Sequence, residues 1–184
     1  GDVYKRQVLA KLYVLKDSFN VSAPVTVVEA APTPQTPAKP PFIDELSTFL
    51  KPEVDRGEVQ LVKQDGKTII RIMSKGLFAS GSDKLMAQYY PLLDRIAQAL
   101  TTLTERITVV GHTDSSPIFS AKFPSNWDLS KARAETIREL LLSSHRITAN
   151  IVSEGRADTQ PMVANDTPEH KAMNRRVEII VIRD

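Results

Sequence analysis

Ile107-Thr108-Val109-Val110-Gly111-His112-Thr113-Asp114, and after an intervening stretch Ser125-Asn126-Trp127-Asp128-Leu129-Ser130-Lys131-Ala132-Arg133-Ala134, decide the fold. The apolar run 107–110 reads as a short buried strand that ends in a turn carrying an acidic residue. From about Asn126 to Leu142, the residues Leu129, Ala132, Ile137, Leu140 and Leu141 form the apolar stripe of a helix, with Ser125 or Asn126 placed to cap it. Outward from this unit the same alternation continues. Ile151 to Ser153 is a short strand, and Val177-Glu178-Ile179-Ile180-Val181-Ile182 is the strongest strand pattern in the chain. Upstream, Leu92, Leu93, Ile96, Ala97 and Leu100 mark a helix with Pro91 in its first turn, preceded by a loop from Gly76 to Ser82. Val59–Val62 and Thr68–Ile72 are strands joined across Gln64-Asp65-Gly66-Lys67, a hairpin signal. Phe42 to Leu50 reads as a helix with Ile43, Leu46 and Leu50 on one face and Pro52 just beyond it. The expected architecture is an α/β sandwich, with helices packed on a mixed sheet.

Six of the twelve prolines fall between residues 24 and 41 (Pro24, Pro32, Pro34, Pro37, Pro40, Pro41). Such a stretch tends to extended polyproline and reads as a semi-rigid linker, with the domain proper at residues 42–184. Residues 1–23 open without an initiator Met and are expected to be the end of an upstream, membrane-anchoring segment. The stretch Val8 to Leu15 fits either the tail of a longer apolar segment or a short amphipathic helix. The chain has 184 residues, 41% apolar and 25% charged, which is the composition of a globular domain. With 24 Lys+Arg against 22 Asp+Glu it carries no broad basic footprint, so nucleic acid is not an expected partner. Without cysteine there is neither a disulfide framework nor a thiol nucleophile.

Chemistry concentrates around Asp114, just past the carboxyl end of its strand, where ligands sit in open α/β sheets. Asn126 and Arg133 stand seven positions apart and share a helix face. A carboxylate, a carboxamide and a guanidinium around one pocket suit a zwitterion, with Asp114 for an ammonium and Arg133 as a fork for a carboxylate. The same spacing is equally consistent with Asp114 and Arg133 simply pairing with each other. No catalytic arrangement accompanies them: Ser125 and Ser130 lack a base, and His145 and His170 have no ligand spacing to His112, so no enzyme activity, metal or cofactor is expected. Trp127 at the helix start suits either packing or stacking on a sugar ring. Arg175 and Arg176 open a strand and alternate faces, so one can serve the pocket while the other is expected to meet a surface carboxylate.

Three ordered motifs carry a family resemblance. Gly111-His112-Thr113-Asp114, then Asn126-x-x-Leu129-Ser130-x-x-Arg133-Ala134, then Asn174-Arg175-Arg176-Val177-Glu178-Ile179 resemble the OmpA-like C-terminal domain, over roughly residues 77–184. That resemblance implies a βαβαβ core with helices on one face of a mixed sheet, and non-covalent binding of peptidoglycan through the meso-diaminopimelate of its stem peptide. It assigns Asp114, Asn126, Arg133 and Arg175 to the ligand, with Thr113, Leu129 and Asn174 in support. Two positions depart from the family: Ala79 stands where an Asp is common, and His170-Lys171 replaces a Gly-Arg. These changes also allow a protein-interaction module that has lost its ligand. The insert Ser115 to Trp127 resembles two branches, the type VI secretion anchoring subunit TssL and the flagellar stator subunit MotB. Gly76–Ser82, Glu154-Gly155-Arg156-Ala157-Asp158 and the stretch Leu50–Gly57 look more like TssL. The resemblance implies a periplasmic domain of an inner-membrane protein in a Gram-negative cell, with other membrane-complex subunits as partners and room for a homodimer. In this reading Arg133→Ala acts through ligand with little change of stability, whereas Leu129→Ala opens a core cavity. Residues 1–41 carry no periodic apolar pattern, so a chain beginning at Pro41 is expected to unfold cooperatively at the temperature of the full chain, as followed by thermal denaturation.

Overall fold

Asp65 and Gly66 both lie at positive φ, 50° and 73°, the backbone of a type I′ turn whose twist matches the strands it joins. In the computed structural model, which describes residues 40–182, this turn connects β1 (Val59–Gln64) to β2 (Lys67–Met73) as an antiparallel pair. Three further strands, β3 (Ile107–His112), β4 (Ile151–Gly155) and β5 (Arg176–Ile182), complete a five-stranded sheet in the order β1-β2-β5-β3-β4. β5 runs antiparallel to both β2 and β3, and β3 runs parallel to β4. The central place of β5 explains its near-continuous apolar run, since a strand flanked on both edges has little contact with water.

Side chains alternate along each strand, so one face collects Val59, Ile70, Ile72, Ile107, Val109, Ile151, Val177, Ile179 and Val181. Helices α1 (Phe42–Phe49), α3 (Tyr90–Leu100) and α4 (Asn126–Ser144) bury their apolar residues in the same cluster, which places them on one face of a mixed sheet. The unit β3-α4-β4-α5-β5, with α5 at Pro168–Asn174, supplies the βαβαβ core. No helix among the described residues is long and apolar enough to cross a membrane. The expected segment 1–23 and the linker up to residue 39 lie outside the described residues.

Several local expectations are corrected. The first helix stops at Phe49, and Pro52 opens a second short helix, α2 (Lys51–Asp55), because proline is tolerated in a first turn. Its buried face holds Phe42, Leu46 and Leu50, while Ile43 is only half-buried. Glu53 and Arg95 pair at 3.0 Å, and the Arg95 guanidinium lies 4.1 Å from the Phe49 ring, tying α1 and α2 to α3. On α4 the buried residues are Leu129, Ser130, Arg133, Ala134, Ile137 and Leu141, whereas Ala132 and Leu140 are half-exposed. Helix α5 has no apolar stripe to betray it; its start is set by the Thr167 cap, whose hydroxyl accepts from the His170 N–H at 3.1 Å.

The approach of α4 to the sheet is set by two glycines. A Cβ on Gly111 would stand 2.1 Å from the Ser130 carbonyl oxygen, and one on Gly155 would stand 2.6 Å from the Lys131 nitrogen. Ser130 is fully buried and its hydroxyl accepts from the Ala157 N–H at 3.1 Å, so helix, β3 and the end of β4 meet backbone to backbone. The obstructing atoms are main-chain atoms that cannot rotate away. Gly111→Ala and Gly155→Ala are therefore each expected to destabilise the domain by about 1–3 kcal/mol or more, read as a lower midpoint in denaturant unfolding.

Candidate functional site

The turn after β3 begins with Thr113, which is buried and held at both ends: its N–H donates to the Ala157 carbonyl at 2.9 Å and its hydroxyl to the Asp114 carbonyl at 2.9 Å. Ala157 itself sits at φ 48°, a left-handed conformation uncommon for a residue with a Cβ, which the bond to Thr113 helps to hold. Asp114 follows, 6% exposed, and its carboxylate folds back to accept the Ser116 N–H at 2.8 Å, an Asx turn. Its other oxygen takes the Arg175 guanidinium at 2.5 Å. Burial by itself would raise the Asp114 pKa, but the bonds from Arg175 and Ser116 outweigh it and hold the carboxyl below the ordinary carboxylate range.

Across from this turn stands the first half of α4. Ser125 caps the helix by accepting from the Asp128 N–H at 3.3 Å. Asn126 donates to the Ser116 carbonyl at 2.9 Å, so the helix start and the Asp114 turn are stitched together. Arg133, two turns on, is 6% exposed. Its Nε donates to the Ser82 carbonyl at 2.8 Å, its Nη2 to the Ala79 carbonyl at 3.2 Å, and its guanidinium lies 5.0 Å from the Phe78 ring centroid. Burial, reinforced by the nearby charge of Arg175, lowers its pKa to about 10, which leaves it cationic at neutral pH. The loop 77–83 thus grips the guanidinium through the main-chain oxygens of Ala79 and Ser82.

Asp114, Asn126, Leu129, Arg133, Arg175 and Thr113 all line one cleft of about 530 Å3, closed on its other sides by residues that include Lys75, Phe78, Ser80 and Ile118. Of the two readings left open by spacing, the direct pairing of Asp114 with Arg133 is not formed: Asp114 pairs with Arg175, while Arg133 bonds to carbonyl oxygens. Leu129 is a wall of this cleft and lies outside the main apolar cluster. Asn174 is fully buried and does not line the cleft. Its carboxamide accepts from the Met162 and Val163 N–H groups at 2.8 and 3.1 Å and donates to Asn165, whose oxygen in turn receives the Ser115 N–H at 3.3 Å. It braces the loop that supports the Asp114 turn.

Arg176 takes the opposite face from Arg175, as strand alternation requires, but it does not meet a surface carboxylate. Its partner is Glu178, buried at 7% exposure, with Nε–Oε1 at 2.9 Å, and Arg71 reaches the same oxygen at 2.9 Å. His112 stands 3.4 Å from the other Glu178 oxygen, and burial pushes its pKa below the ordinary imidazole range. Sequence reasoning missed Ser116, which binds Asp114 and Asn126 through its two main-chain groups; the Asp-x-Ser spacing of an Asx turn was the available signal.

The family model for the OmpA family matches residues 77–175, more than half of the chain, and the chain belongs to that family. Among solved structures it is similar to the cell wall anchor of the type VI secretion system from Pseudomonas aeruginosa, at 37% identity and a TM-score of 0.70, covering 76% of this chain and 97% of that one. It is 29% identical to motility protein B of Bacillus subtilis over 75% of its own length, and 32% identical to the peptidoglycan-binding protein ArfA of Mycobacterium tuberculosis over 64%. The chain spans only 54% and 36% of those two relatives.

The burial of Arg133 changes what its removal should do. Arg133→Ala leaves two carbonyls without a charged donor, and a loss of about 1–3 kcal/mol in stability is expected. Thermal unfolding beside the parent checks this, and an unchanged midpoint would return Arg133 to a purely ligand-facing role. Asp114 has a depressed folded-state pKa, so its contribution is present above the unfolded carboxylate pKa and is lost as pH falls through the folded one. Asp114→Asn is accordingly expected to flatten the acid limb of the stability–pH curve.

Proposed function

We propose that this domain binds peptidoglycan non-covalently through the free end of meso-diaminopimelate and anchors a membrane-embedded secretion complex to the cell wall. The observation that carries the reading is the Asp114/Arg133 arrangement: a carboxylate, and a buried guanidinium with no carboxylate partner among the described residues, line one cleft on rigid supports. The ammonium of the zwitterion bonds to Asp114, and its carboxylate takes the guanidinium donors that the Ser82 and Ala79 carbonyls leave over. Asn126, at the helix N-terminus, offers its carboxamide between them. Arg175 orients Asp114 and adds positive potential. None of these groups is arranged to cut a bond, and the proposed role is holding, without catalysis.

Two likenesses support the biological setting. The similar structure from Pseudomonas aeruginosa is described as the cell wall anchor of a type VI secretion system, and ArfA is described as peptidoglycan-binding. The proposed assignment is therefore TssL-like, on the periplasmic side of the inner membrane in a Gram-negative cell, among the other subunits of the secretion complex. The likeness to motility protein B supports a second reading, a flagellar stator subunit; deletion of the gene then abolishes swimming and leaves secretion intact.

The direct test is depletion from solution by purified sacculi. Sacculi whose stem peptides carry diaminopimelate should remove the protein and release no soluble fragments. Sacculi with lysine at that position lack the distal carboxylate and should remove far less. Equal depletion by both sacculi overturns the diaminopimelate reading, and depletion by neither leaves the fold as a protein-interaction module.

A further inference from the structure

We infer that Lys171 binds a second carboxylate of the stem peptide, outside the diaminopimelate end, so that the cleft recognises its ligand by two anionic groups as well as the ammonium. This inference rests on the peptidoglycan reading above. It starts from a charge imbalance. The cleft is lined by Lys75, Arg133 and Arg175 against a single carboxylate, Asp114, which Arg175 already pairs. Lys171 stands at the rim, its Nζ donating to the Ser116 hydroxyl at 3.2 Å. Among the described residues, neither Arg133 nor Lys171 forms an ion pair with a carboxylate.

A zwitterionic end is neutral in sum, so docking it leaves that positive excess in place. An additional anion removes it. Lys171 is the group suited to hold that anion, because its position is defined. It projects from the last turn of α5 and is half-buried. Its contact is the same Ser116 whose N–H binds Asp114 and whose carbonyl binds Asn126. The ammonium therefore sits beside the ligand pocket on the turn that builds it, with two of its three N–H donors free for a ligand. A lysine in a last helical turn also complements the helix dipole, but that role would be met with the side chain in solvent, whereas here it crosses to a segment 55 residues away.

A stem peptide offers two carboxylates of the required kind: the α-carboxylate of its γ-linked glutamate and the carboxylate at its C-terminus. Affinity for soluble disaccharide-tetrapeptides separates them, measured by calorimetry with the unmodified peptide, the peptide amidated at glutamate and the peptide amidated at its C-terminus. Lys171→Gln is expected to bind the unmodified peptide about fivefold more weakly than the parent, with an unchanged thermal midpoint, and Lys171→Arg to bind like the parent. One of the two amidated peptides should lose the same factor with the parent and nothing further with Lys171→Gln, which names the carboxylate. The gap between parent and Lys171→Gln should narrow at high salt. Parent-like binding by Lys171→Gln overturns the assignment of Lys171 alone. Failure of the parent to bind the unmodified peptide overturns the peptidoglycan reading, and this inference with it.

Discussion

The contact on which the rest of the structure depends is the seating of α4 directly on the backbone of β3 and β4. Gly111 and Gly155 leave no side chain between the helix and the sheet, and Ser130 fills the gap with a hydroxyl that bonds both the Trp127 carbonyl and the Ala157 N–H. A helix carried even a methyl group further out would lift Asn126 from Ser116 and Arg133 from the loop that holds it. The constraint is geometric and cheap in residues: two positions without a Cβ, and one small polar side chain at the point of closest approach. It also explains why the Leu-Ser-x-x-Arg-Ala stretch of α4 reads as it does, with Leu129 and Arg133 turned to the cleft and Ser130 and Ala134 turned to the sheet.

Around that seat, charge is distributed in two separate networks that adjacent residues of β5 and its approach divide between them. Arg175 goes to Asp114 and the cleft; Arg176 goes to Glu178, which it shares with Arg71. Glu178 is buried, which by itself disfavours its charged form, yet His112 beside it and the bonds from Arg176 and Arg71 hold it well below the ordinary carboxylate range. Removing Glu178 would leave two guanidiniums without their shared carboxylate, which is costly in a low-dielectric interior. The network therefore fixes the start of β5 rigidly, and with it the position of Arg175 one residue earlier. In the cleft the balance runs the other way. Positive charge is left uncompensated there, and that residual potential is what an anionic ligand would neutralise.

Much of this was legible in the chain. The strands, the Asp65-Gly66 hairpin turn and the two long helices announce themselves by periodicity and turn chemistry, because those signals are local and each residue's preference agrees with its neighbours'. The location of the candidate cleft was legible too, since an Asp just beyond a strand end and an Arg two turns into the next helix need only regular geometry to line one cleft. Helix α5 was not legible: it is short, has no apolar stripe, and owes its existence to a cap and to the buried Asn174 at its end. The burial of Arg133 was equally hidden, because a charged residue on a helix reads as a solvated one until the loop that wraps it is known.

The sequence by itself determined the alternation of strands and helices, the hairpin, and which residue types gather near the carboxyl end of β3, all of which follow from local propensity and period. Tertiary structure alone decided the pairings. Asp114 chose Arg175, 61 residues away, over Arg133; Arg133 took the carbonyls of Ser82 and Ala79; Glu178 gathered Arg71 and Arg176. Each of these choices depends on which backbone oxygens and opposite charges are brought within about 3 Å, and that is set by sheet order and by the depth at which α4 is seated, neither of which is encoded in any single segment.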